Sequence, residues 1–120
     1  MNNKVNLEEK FSSVEEYWSP KIIGELNKQE VKIAKLKGSF VWHHHENEDE
    51  LFFVIKGKLK IHLKGKTIKL NEGEFFIVPR GVEHKPVADD EVHLLLFEPA
   101  QTLNTGNVKN ERTINNPERI

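Results

Sequence analysis

The chain has 120 residues with 18 lysines and arginines against 19 acids, a formal net charge of −1, and no cysteine. That length fits one domain with its own core. The missing cysteines exclude disulfides, thiolate metal sites and a cysteine nucleophile, so any metal must be held by nitrogen and oxygen. No basic block points to nucleic acid, and no apolar run is long enough to span a bilayer. The opening "MNNKVNLEEK" has no apolar signal core, so the expected location is cytoplasmic.

Residues 1–30 form an N-terminal helical or extended segment. In "FSSVEEYW", Ser13 with Glu16 three residues on has the form of a capping box and predicts a short helix, which Pro20 ends. From Val31 the chain reads as strands separated by turns. "VKIAKLK" alternates, with Val31, Ile33 and Lys35 on one face and the others opposite, until Gly38 ends the run. "SFVWHHH" is the next predicted strand and "ELFFVIKG" follows it as the second arm of a hairpin. "KLKIHLKGKTIKL" alternates around a Lys64-Gly65 turn. "EFFIVP" is a strand, "RGVEH" a turn and return, and "VHLLLFEP" a last strong strand. Short strands at this spacing indicate a sandwich or a barrel over residues 31–99. Residues 100–120, rich in asparagine, read as an extended tail that can dock through Leu103, Val108 or Ile114.

In a strand His43 and His45 share one face, and His44 lies on the other with Trp42. The hairpin brings Glu50 beside the His43/His45 face, and two imidazoles with a carboxylate suit a divalent first-row metal. After Pro79 and the Arg80-Gly81 turn the chain returns with His84, a fourth ligand candidate. His62 reads as a surface residue among lysines. His93 is read as a core, surface or second-sphere histidine.

These residues resemble the two motifs of the cupin superfamily. Gly38, His43, His45, Glu50 and Gly57 match the first, with Gly38 one residue closer to the histidine pair than usual. Gly73, Pro79, Gly81 and His84 match the second, where Ala88 replaces a frequent asparagine. The resemblance covers Val31 to Pro99 and is nearest to small single-domain cupins often labelled mannose-6-phosphate isomerase-like. It implies an all-β fold, a double-stranded β-helix or jelly roll, behind the short N-terminal helix. It also implies that His43, His45, Glu50 and His84 hold one divalent transition metal: iron, manganese, nickel, zinc or cobalt.

Two functions follow as expectations. One is an enzyme (an isomerase, lyase or dioxygenase) acting on a small sugar- or carboxylate-type substrate by Lewis-acid chemistry, with His93 and Glu98 as acid–base candidates. The other is a non-catalytic cupin that binds or senses a small ligand. A spare acid–base group beside the metal would favour catalysis; a purely apolar pocket would favour binding. Leu51, Phe53 and Ile55 face away from the site yet are apolar, and "LLLF", Leu94 to Phe97, is apolar on both faces. Such a face needs a cover, and a homodimer is expected there, with Trp42 extending the patch.

Overall fold

A computed structural model describes residues 3–120; Met1 and Asn2, the first two residues of the N-terminal segment, lie outside the described part. Among the described residues one helix, α1 (Leu7–Ser12), precedes seven strands: β1 (Lys21–Leu26), β2 (Gln29–Ser39), β3 (Glu50–Lys56), β4 (Leu59–Leu63), β5 (Lys66–Leu70), β6 (Phe75–Val78) and β7 (His84–Pro99). The fold is all-β, a jelly roll with a short N-terminal helix.

All the pairings between these strands are antiparallel. The hydrogen-bonded order β1-β2-β7-β3-β6 makes one wall, and β4 pairs with β5 and β7 to make the other. Strand β7 joins the two. Its first residues, His84–Val87, pair with β4, and its last pair with β2 and β3. Side chains of Ala34, Leu36, Phe52, Val54, Leu59, Ile61, Val92 and Leu94 fill the space between the walls. Gly57 turns the chain between β3 and β4 at φ +94°, and a Cβ there would stand 2.7 Å from the Glu91 carbonyl oxygen, so only glycine fits.

Three expectations need correction. The helix starts earlier than the Ser13/Glu16 pattern suggests. Asn6 is its N-cap, accepting from Glu9 N–H at 2.9 Å, and Ser13 is its C-cap. Asn6 with Glu9 three residues on is the better cap, because it sets Leu7, Phe11 and Val14 on one face against Ile33.

"SFVWHHH" is not a strand, and it forms no hairpin with β3. Only Ser39 belongs to β2, and His43 makes an isolated bridge to His84. The backbone N–H and C=O of His44 bond to Asn107 in the tail instead of to a neighbouring strand. The alternation still holds locally: His43 and His45 are buried and His44 is half-exposed.

"KIIGEL", absent from the strand reading, is β1, and His84, which ends the "RGVEH" turn, opens a 16-residue strand that runs on through "VHLLLFEP". The tail docks on the body. Ile22 and Ile120 exchange backbone bonds with the opposite segment, and Ile120 packs near Phe11 and Ile33. Among the described residues no helix is long and apolar enough to cross a membrane.

Candidate metal centre

His43, His45, Glu50 and His84 come together inside the barrel, each offering a ligand atom, all within 4.8 Å of one another. Their positions have separate causes. His43 and His84 face each other through a two-bond backbone bridge, His43 N–H to His84 O at 3.0 Å and the reverse at 2.9 Å. His45 is fixed by Gly81 N–H, which donates to its carbonyl at 2.7 Å across the Pro79–Gly81 turn. Glu50 opens β3 on its inward face, paired with Val78 of β6.

The side chains fit a metal ion. His43 Nδ1 donates to Val41 O and His84 Nδ1 to Val82 O, each at 2.9 Å. A nitrogen that donates to a carbonyl carries the proton, so in both rings Nε2 is the bare lone pair. His45 Nε2 lies 3.1 Å from Glu50 Oε1, and His84 Nε2 lies 3.5 Å from the same oxygen. Neither pair has the alignment of a hydrogen bond, and both ring nitrogens of His45, Nε2 of His84 and Oε1 of Glu50 are buried without a partner. Such a knot of unsatisfied acceptors and donors is costly unless something fills it. Three imidazoles and one carboxylate are a donor set for a divalent transition metal.

The electrostatics agree. Burial, with His84 close by, lowers the His43 pKa to about 4, so the ring is neutral as a ligand must be. Burial alone would push the Glu50 carboxyl up, but the imidazoles of His45 and His84 outweigh it and hold it well below the usual range.

Glu98, on the inward face of β7, sits against this cluster. Its Oε1 accepts from Lys32 Nζ at 2.8 Å, and its Oε2 is buried without a partner. Burial and the neighbouring Glu50 charge raise the Glu98 carboxyl well above the ordinary value. Lys32, 2 % exposed, also lies 3.7 Å from Glu30. A cavity of about 40 Å³ borders His43, Glu50 and Glu98, and its other walls include Trp18, Phe40 and Phe52. That is room for more than the single water that needs roughly 10–15 Å³.

The other histidines lie elsewhere. His44 turns outward to Glu83 and Glu46, and the bond to Glu83 raises its pKa. His62 bonds Thr67 on the surface. His93 stacks on Phe11 outside the barrel at 4.6 Å and bonds Glu91, away from the metal ligands. Lys32, bonded to Glu98 beside the cluster, has no place among the sequence candidates. The signal was present: Lys32 shares its strand face with Ala34 and Leu36, both core residues.

The family model described as "Cupin domain" matches residues 29–98, more than half of the chain. The uncharacterized protein YdbB of Bacillus subtilis (strain 168) is 39% identical over 64 residues, a stretch that is 52% of this chain and 57% of YdbB. The chain therefore spans little more than half the length of that relative. A crystal structure of a cupin-2 domain containing protein from Shewanella frigidimarina is 42% identical with a TM-score of 0.78, covering 79% of this chain and 93% of that one. A crystal structure from Neisseria meningitidis is 29% identical with a TM-score of 0.75, covering 82% of this chain and all of that one, 100%.

Proposed function

This chain belongs to the cupin family, and we propose that it is a metal-dependent enzyme acting on a small oxygen-bearing substrate of the sugar or carboxylate type. His43, His45, Glu50 and His84 hold the ion, which is iron, manganese, nickel, zinc or cobalt. When bound, it supplies a Lewis acid for a substrate oxygen.

The observation that carries the catalytic reading over simple binding is Glu98. It is a buried carboxyl at the cavity wall, beside a ligand residue, with Oε2 uncommitted. Lys32 fixes its other oxygen, so Oε2 is aimed rather than free to rotate into solvent. A group so placed holds or moves a proton at the reacting end of a bound substrate. The apolar walls at Trp18, Phe40 and Phe52 exclude water and take the less polar part of the ligand.

The test is a substrate screen with metal-loaded protein against small hydroxy- and keto-acids and sugar derivatives, repeated with Glu98→Gln. We expect Glu98→Gln to keep the metal and to lower turnover by roughly 10²–10⁴. Ligands that bind in the screen without turnover would favour the sensing alternative. Turnover undiminished in Glu98→Gln would remove Glu98 from the reaction.

We also propose that two copies pair through the outer face of the β2-β7-β3-β6 wall. Cross-strand partners there form two rows, Val31–Phe97–Leu51–Ile77 and Ile33–Leu95–Phe53–Phe75. Helix α1 covers Ile33 and Ile55 at one side, while Phe75 and Ile77 stay 58% and 47% exposed. The rows contain no charge for a complementary partner to read, so a second copy of the same face is the occupant they fit. Trp42 lies outside these rows, under Lys64 Nζ at 3.9 Å, and does not extend the patch.

A further inference from the structure

The segment after the barrel closes back on the histidine run. His44 N–H donates to Asn107 Oδ1 at 2.9 Å, and Asn107 N–H donates to His44 O at 3.1 Å. These two bonds use both backbone groups of the residue that separates the ligands His43 and His45. Gly106 makes the approach possible. It sits at φ +57°, and a Cβ there would collide with His44 O and stand 3.1 Å from His43 Cδ2.

The turn that presents Gly106 and Asn107 is itself held. Gly106 N–H donates to Leu103 O at 2.9 Å. Thr105 is fully buried, and its hydroxyl bonds that of Thr113 at 2.7 Å. Asn104 clasps the returning chain, donating to Arg112 O and accepting from Ile114 N–H. All of these residues lie beyond the stretch 29–98 that matches the family.

We propose that Leu103–Asn107 is a latch on the metal centre and that Asn107 is a positioning residue for His43 and His45. The proposal rests on the metal reading above. Residues 40–49 form no strand; His43 is tied to His84 and the His45 carbonyl to Gly81, which leaves the residue between the two imidazoles to be fixed by the tail. Asn107 fixes it at both ends. Partners that orient a ligand without touching the metal are worth roughly 10–100-fold in affinity.

The experiment uses the full chain, stripped of metal and titrated with Zn²⁺ or Mn²⁺ alone, as wild type, Asn107→Ala, Asn107→Asp and Asn110→Ala. Asn107→Ala is expected to bind roughly 10–100-fold more weakly. Asn107→Asp keeps an oxygen acceptor and should restore binding. Asn110→Ala loosens a tail turn away from His44, where Asn110 Oδ1 accepts from Arg112 N–H, and should leave affinity unchanged. Amide exchange at His44, read without metal, should quicken in Asn107→Ala only. Wild-type affinity in Asn107→Ala overturns the latch, and so does an equal loss in Asn110→Ala. If the wild type takes up no metal, the metal reading fails and exchange alone decides. Faster exchange at His44 in Asn107→Ala then supports the latch, and unchanged exchange overturns it.

Discussion

The two faces of the β2-β7-β3-β6 wall invert the usual arrangement. Inside, Glu30, Lys32, Glu50 and Glu98 are all buried. Outside, Phe75 and Ile77 face solvent at the end of two wholly apolar rows. Burial of apolar area would favour the opposite placement at each of these positions. The difference shows what each face is for. Inside, the Lys32 cation is shared between Glu98 at 2.8 Å and Glu30 at 3.7 Å, and Glu50 lies among the imidazoles. Apolar side chains are kept outside where α1 covers them on one flank and, as proposed, a second copy covers the rest.

The largest effect should come from the inner face. His45→Ala is expected to abolish stoichiometric metal, read by elemental analysis, while circular dichroism stays that of a folded barrel. Full occupancy in that variant would remove the ligand assignment.

Lys32→Met comes next. It takes the cation from between Glu98 at 2.8 Å and Glu30 at 3.7 Å. Removing one partner of a buried pair costs roughly 3–5 kcal/mol, measured as a lower urea midpoint. A midpoint unchanged or raised would mean that the paired charges do not support the fold.

On the outer face, Phe75→Ser removes an exposed ring. Sedimentation should shift from dimer to monomer with the fold retained. Wild-type protein already monomeric at micromolar concentration would refute the pairing.

The smallest effect is expected for His44→Ala. Its side chain points to Glu83 and Glu46, so metal content and melting temperature should stay at wild-type values. Loss of metal there, with retention in His43→Ala, would reverse the inward and outward assignment of the histidine run.

The convergence of His43, His45, Glu50 and His84 is legible because alternation survives where the strand does not. His43 and His45 point inward although residues 40–49 are irregular, and Glu50 and His84 follow the turns that their neighbours specify. Glu98 was visible as a candidate, but its pairing with Lys32 was not. That contact spans 66 residues, and local pattern carries nothing about it. The helix start was misplaced because two cap patterns compete within eight residues, and packing of Phe11 and Val14 against Ile33 decides between them. The tail reads as extended because its asparagines, with few apolar residues among them, suggest solvent. Their amides instead bond backbone, at Asn104, Asn107 and Asn110.

Strand β7 also sets an order of events. It is the last strand in the chain, yet it hydrogen-bonds to β2, β3 and β4. The earlier hairpins β1-β2 and β4-β5 can form as soon as they are synthesised, because their contacts are local. The barrel cannot close until residues up to Pro99 have left the ribosome. His84 and Glu98 arrive on that same strand, so the cavity and its candidate ligands are assembled in one late, long-range step. A nascent chain before that point exposes the inner faces of β2 and β3 together, and this is the interval in which it depends most on protection from aggregation.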